Sequence, residues 1–205
     1  MANVSVRSSL LVALVVAVVA LAGDLVVKAV AWEHFVSFET WVDGRVVLDP
    51  RPMSHVEALP GLLDLTAVAN QGAAMGLGQG KRPLFLVVGV VACIALAFFF
   101  WHSVRTDKRS GGPVLWQSRL YRFTLAMLLA GVVGNLYDRL HHGYVRDMFH
   151  MLPGMRWTDI AGSLPDREVF PWVFNLADVY LCVGVGVILV LGLITPDPEP
   201  AEAKE

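Results

Sequence analysis

The sequence predicts an α-helical integral membrane protein of four transmembrane helices with a small β element in one of its outer loops. Of the 205 residues, 56% are hydrophobic and only 17% charged, against about 45–50% and about 25% in soluble domains. Four apolar runs, at 10–32, 83–101, 120–138 and 175–195, each approach the length of about 20 helical residues that a hydrocarbon core requires. Lipid offers the backbone no hydrogen-bond partner, so runs of this kind must close their own bonds as helices. A net charge of −2 gives no sign of a nucleic-acid partner.

The first run is interrupted only by Asp24 and Lys28. Arg7 followed by an apolar stretch has the look of a secretory signal. Apolar residues continue through Leu25, Val26, Val27, Ala29 and Val30, however, so an uncleaved helix is expected after a short tail at 1–9. In the loop 33–82, residues 35–48 mix aromatic and β-branched side chains around Asp43-Gly44, the pattern of a hairpin, and 62–68 reads as a further strand. The second run has no charge. A short basic segment with Arg105, Lys108, Arg109, Arg119 and Arg122 follows, and by the positive-inside rule it is cytoplasmic.

Four crossings then place both termini inside and the loops 33–82 and 139–174 outside. The third run carries Arg122 near its start, and the fourth carries Asp178. The second outer loop has Pro153-Gly154 and Pro165-Asp166 turn signals around a short amphipathic stretch. The tail 196–205, rich in Pro, Glu and Ala, reads as disordered. The helical domain is thus 10–195. Trp32, Trp101, Phe170 and Trp172 read as an interfacial belt. Cys93 and Cys182 fall inside apolar runs, which suits neither a structural disulfide nor a nucleophile.

Carboxylates at the edge of a bilayer are costly and need a partner or a task. Asp147 lies in G-Y-V-R-D-M, about two helical turns' worth of chain beyond the third helix; Asp178 lies in F-N-L-A-D, in the first turn of the fourth. Both belong to the outer boundary. If they approach, one proton is shared between them, and such a dyad can activate water and protonate a leaving amine. The alternative is that Asp178 decorates a helix N-terminus, with Asn175 as its cap, while Asp147 pairs with Arg146 or Arg139.

Further polar groups surround these two. Asp24 and Lys28 are one turn apart on one face, as an ion pair or a relay. Gly131, Asn135 and Arg139 recur at intervals of four on the third helix, with the glycine allowing close helix approach and the other two supplying donors; Asp138 is a local partner for Arg139. N-Q-G-A-A-M-G (70–76) offers Asn70 and an accessible backbone. His141, His142, Asp147 and His150 raise the question of a metal, but no H-E-x-x-H or Cys/His set accompanies them.

The ordered motifs D-L-V-V-K (24–28), N-Q-G-A-A-M-G (70–76), G-V-V-G-N-L-Y-D-R (131–139), G-Y-V-R-D-M (143–148) and F-N-L-A-D (174–178) resemble those of the bacterial lipoprotein signal peptidases, or signal peptidases II. The resemblance implies an aspartic endopeptidase of the inner membrane that removes signal peptides just before a cysteine already carrying diacylglycerol. It places the catalytic aspartates on Asp147 and Asp178. Supporting residues fall on Asp24, Lys28, Asn70, Gly131, Asn135, Arg139, Asn175 and Ala177. It further implies an extracytoplasmic β-cradle from the first outer loop, a short helix from the second, prolipoprotein substrates, inhibition by globomycin-type cyclic peptides, contact with membrane lipids, a monomer, and neither metal nor organic cofactor.

Met75 and Met148 stand where many family members have phenylalanine, and both outer loops are longer than is usual there. The competing classes are a small ion-coupled transporter or channel using Asp24, Lys28 and Asp178, and a metalloprotease using the histidines. The gathering of polar residues at the outer boundary rather than the midplane speaks against the transporter.

Overall fold

A computed structural model describes residues 6–72, 78, 80–110 and 116–194. Residues 73–76 of the N-Q-G-A-A-M-G motif, Met75 among them, and the chain ends at 1–5 and 195–205 lie outside the described residues.

The elements follow in the order α1 (Val6–Phe35), β1 (Val36–Val42), β2 (Arg45–Pro50), β3 (Val56–Leu59), β4 (Leu63–Asn70), α2 (Arg82–Ser110), α3 (Trp116–His141), β5 (Val145–Met151), α4 (Trp157–Ile160), β6 (Val173–Phe174) and α5 (Leu176–Ile194). Helices α1, α2, α3 and α5 are each long and apolar enough to cross a membrane. Their outward surfaces are what lipid requires: Val12, Val19, Val87, Ile94 and Leu189 stand exposed. Helix α3 is the centre of the bundle and packs against each of the other three. It is accordingly the most polar span, with Arg122, Thr124, Asn135 and Asp138 turned inward and buried.

All six strands gather at one end of the bundle. Strands β1 and β2 form the hairpin expected from Asp43-Gly44, with positive φ at both residues (49° and 74°), the geometry of a two-residue turn whose twist matches that of the strands. The second sheet has the order β3-β4-β5-β6, antiparallel throughout. Its composition corrects the expectation of a cradle built from the first outer loop alone. Strands β3 and β4 come from that loop, while β5 and β6 come from the second. The segment Val145–Met151 that follows α3 pairs antiparallel with β4, Val68 opposite Asp147.

Two apolar clusters fix this layer to the bundle. Ala31 and Phe35 of α1 pack against Met148, and Trp32 and Val36 pack against Tyr144. Trp32 Nε1 donates to Glu39 Oε1 at 2.9 Å and lies 3.1 Å from the Tyr144 hydroxyl, which also bonds Glu39. The hairpin is thereby clamped beside the start of β5. The short α4 sits in the second loop, where Arg156 is bonded to Asp166.

Candidate active site

The site forms where α3, β5 and the N-terminus of α5 meet. Asn175 is the residue before α5 and caps it. Its side-chain oxygen accepts the backbone N–H of Asp178 at 3.1 Å, and Asp178 Oδ2 accepts the backbone N–H of Asn175 at 3.1 Å. This reciprocal capping box satisfies donors that would otherwise be orphaned at the helix start. It also fixes the Asp178 rotamer. A third donor there, the N–H of Ala177, goes to Asp24 Oδ1 at 2.9 Å.

Asp147 is set by a different rule. Successive side chains of a strand alternate between faces, and β5 turns Val145 and Asp147 into a cavity of about 350 Å³ that Asp178 also lines. The remaining walls include Asn70, Asn135, Arg139, Phe174 and Cys182.

Three asparagines hold the two carboxylates. Asn175 Nδ2 donates to Asp147 Oδ1 at 2.6 Å and Asn70 Nδ2 to Asp147 Oδ2 at 3.0 Å. Asn135 Nδ2 donates to Asp178 Oδ1 at 2.9 Å. An amide offers donors at nitrogen and acceptors at oxygen, and its orientation follows from the partners of both ends. In each of the three the oxygen is already committed: to the Asp178 N–H in Asn175, to the Gly72 N–H (2.9 Å) in Asn70, and to Lys28 Nζ (2.9 Å) in Asn135. Each amide is therefore forced to present N–H to an aspartate.

Behind this layer lies a buried chain of alternating charge. Lys28 Nζ is 2.8 Å from Asp24 Oδ2 and 3.4 Å from Asp138 Oδ2. Arg146 meets Asp138 with its backbone N–H at 2.9 Å and its guanidinium at 2.8 and 3.1 Å. Two cations and two anions thus balance among buried side chains, joining α1, α3 and β5. The ion pair of Asp24 and Lys28 was legible from their spacing. The partners of Asp138 were not: they are Arg146, eight residues on, and Lys28, and not the neighbouring Arg139. Nor does Asp147 pair with either arginine. Arg139 instead donates to Gly72 O at 2.8 Å and to Asn135 O at 3.3 Å, tying the 70–72 segment to α3.

Two glycines permit these approaches. A Cβ on Gly134 would stand 2.3 Å from Asp24 Oδ2, and one on Gly131 would stand 2.8 Å from the backbone oxygen of Ala177. Gly134 escaped the sequence reading, although its place one turn after Gly131 was a usable signal. The histidines disperse: His141 stacks on Tyr137, His142 lies by Tyr144, and His150 faces Glu168 at 4.0 Å. Among the described residues no three acidic, His or Cys side chains converge as metal ligands.

Burial, and next the charge of Asp178, push the Asp147 carboxyl up to about 7, with the amides of Asn175 and Asn70 pulling the other way. Asp147 is thus poised to hold a proton near neutrality beside a second carboxylate set at a helix N-terminus, where negative charge is favoured. Two carboxyls bordering one cavity, one of them able to hold a proton near neutrality, can together add water across a polar bond.

A family model described as signal peptidase (SPase) II matches residues 16–194. A lipoprotein signal peptidase of Caldicellulosiruptor bescii is 32% identical over 138 residues, covering 67% of this chain and 72% of that one. One from Caldanaerobacter subterraneus subsp. tengcongensis is 33% identical over 143 residues, 70% of this chain and 77% of the relative. Among solved structures, a bacterial membrane enzyme obtained by the in meso method at 2.3 Å matches with a TM-score of 0.59, at 22% identity and over 94% of both chains. Another, at 1.9 Å, matches with a TM-score of 0.55 at 23% identity, covering 90% of this chain and 94% of the other.

Proposed function

The chain belongs to the signal peptidase II family, and from that we propose an aspartic endopeptidase that releases the signal peptide of diacylglyceryl-modified prolipoproteins just before the lipidated cysteine. It is a multi-pass bacterial membrane protein. The observation that carries the aspartic mechanism is the arrangement of Asp147 and Asp178 on either side of the one amide of Asn175, both bordering the same cavity.

Asp178, ionised at the helix N-terminus, takes a proton from water as the water oxygen attacks the scissile carbonyl carbon. Asp147, protonated, donates to the carbonyl oxygen and stabilises the charge that develops there. As the tetrahedral intermediate collapses, the C–N bond breaks, Asp178 returns its proton to the leaving amine, and Asp147 regains its own. Asn135 and Asn70 keep the two carboxyls in register. Arg139 holds the 70–72 segment at the cavity and faces the substrate main chain. Asp24 and Lys28 support the assembly from behind, with Gly131 and Ala177 allowing α3 and α5 to close on it. The chemistry requires neither metal nor organic cofactor.

We place the sheets and the site at the outer membrane boundary, with both termini in the cytoplasm, on the basic residues between α2 and α3. The domain organisation follows: a tail at 1–9, a peptidase domain at 10–195 and a tail at 196–205, acting as a monomer. Nothing favours the ion-coupled transporter. The test is cleavage of a diacylated precursor peptide by the purified protein, with and without a globomycin-type cyclic peptide. Inhibitor-sensitive release of the signal peptide is expected, and absence of cleavage in the uninhibited reaction refutes the reading.

A further inference from the structure

Helix α1 has two working faces. Asp24, Lys28 and Trp32 recur every fourth residue on the face turned to α3. Val26, Val30 and His34 recur every fourth residue on another. These three form one wall of a second cavity, of about 390 Å³, whose opposite wall is the cradle. At 1.5 Å rise per residue, the stretch from Val26 to His34 runs about 12 Å along the helix. Val26 and Val30 are 59% and 60% exposed on a membrane-spanning helix, so this groove opens sideways into the bilayer. Its lining is apolar except for His34, at the end nearest the sheets.

The cradle wall is a cross-strand row. Val56 pairs with Leu65, and Leu65 with Phe149. Phe149 is two residues beyond Asp147 on the same strand, hence on the same face, at about 7 Å. Its ring meets Phe174, which lines the cavity of the two aspartates. The groove and the catalytic cavity are therefore neighbours under one sheet, separated by the Phe149–Phe174 pair.

We propose that this groove seats an acyl chain of the diacylglyceryl group on the substrate cysteine, making Val26, Val30, Leu65 and Phe149 the residues that read the lipid. The proposal rests on the peptidase reading above. The lipid is borne by the residue immediately after the scissile bond, so its branches leave within a few ångströms of Asp147, where Phe149 is the next side chain on that face. The signal peptide belongs to the catalytic cavity, which Cys182 and Val183 of α5 also line. A groove lined by apolar side chains of one helix and one row of strand residues suits a hydrocarbon chain. The polarity also runs correctly: His34 meets the glyceryl ester, and the chain descends along Val30 and Val26 into the bilayer.

The test compares precursor peptides carrying two palmitoyl or two butyryl chains. Val30→Trp alters a lipid-facing side chain outside the packed bundle; Val87→Trp on α2, equally lipid-facing, serves as the control. Val30→Trp is expected to raise KM for the dipalmitoyl substrate about tenfold, the equivalent of about 1.4 kcal/mol or roughly two buried methylenes. It should leave kcat, and both constants for the dibutyryl substrate, unchanged. Equal effects on the two substrates, or none on either, overturn the proposal. A dipalmitoyl substrate with a diazirine in one acyl chain gives a second readout that needs no turnover. Labelling of α1 between residues 26 and 34 supports the groove, and labelling confined to α5 overturns it. Failure of the unaltered protein to cleave either peptide would instead overturn the peptidase reading, with the labelling still deciding the groove.

Discussion

The side-chain amide of Asn175 donates to Asp147 at 2.6 Å while its backbone N–H donates to Asp178 Oδ2 at 3.1 Å, so a single helix cap holds both carboxyls of the site. An N-cap ordinarily serves only its own helix, at about 1 kcal/mol. Here its free donor fixes a residue of a strand 28 positions earlier. The position of α5 and the position of β5 are therefore one quantity, and a change at either strand or helix is felt by both aspartates.

Asp147→Asn and Asp178→Asn should each reduce cleavage of a diacylated precursor by roughly a thousandfold or more, the scale of a lost general acid or base. Both proteins should reach the membrane in normal amounts, since an asparagine keeps the size of the side chain. Single-turnover assays with matched membrane levels measure this. Near-normal activity in either variant would falsify the dyad.

The pH dependence follows from the direction in which Asp147 is shifted. A carboxyl raised from 3.8 to about 7 on folding stabilises the fold fully below the unfolded value, and that contribution disappears as pH climbs through 7. Activity that needs its proton should likewise fall above about pH 7. The Asn70 amide favours the ionised form, so Asn70→Ala should move the falling limb of the kcat/KM profile to higher pH. A limb that stays in place or moves lower contradicts the assignment.

Much of this was legible because each feature had a local cause. Long uncharged runs dictate helices in lipid, Asp43-Gly44 dictates a hairpin turn, and Asn175 ahead of Asp178 dictates a cap. Asp24 and Lys28 were legible as a pair because a helix sets them one turn apart. What stayed hidden depends on contacts between distant segments. Whether Val145–Met151 forms a strand is decided by the β4 edge it meets, and the choice of Arg146 by Asp138 is decided by the turn that brings β5 back over α3. Asn70 and Asn135 could be named as donors, but not their orientations, which are set by Gly72 and Lys28.

Gly131 and Gly134 are predicted to be stability determinants of unequal kind. At Gly131 a methyl meets the backbone oxygen of Ala177 at 2.8 Å, which moves only if α5 moves. At Gly134 it meets Asp24 Oδ2 at 2.3 Å, which can shift only by weakening the contact with Lys28. Each Gly→Ala change should cost about 1–3 kcal/mol, the usual range for overpacking. Gly192→Ala, with no atom within 4 Å of the new methyl, should be neutral. Thermal unfolding of the three variants in one detergent ranks them.

The buried ion pair of α1 predicts a non-additive result. Asp24→Ala removes the nearer partner of Lys28, at 2.8 Å, and the acceptor of the Ala177 N–H, leaving a fully buried cation with Asp138, at 3.4 Å and shared with Arg146, as its acidic partner. Breaking such a pair from one side costs about 3–5 kcal/mol, so the variant should lose yield and melt early as well as turn over slowly. Lys28→Met alone should also be damaging, because Asp24 is left unpaired and Asn135 loses the donor that orients its amide toward Asp178. Combined, the two changes remove both charges together, while Asp138 retains Arg146. The double variant should therefore be more stable than Asp24→Ala, yet remain slow because Asn135 is no longer oriented. Additive destabilisation in a double-mutant cycle would mean that the two charges act independently, and recovery of full activity would mean that Asn135 needs no help from Lys28.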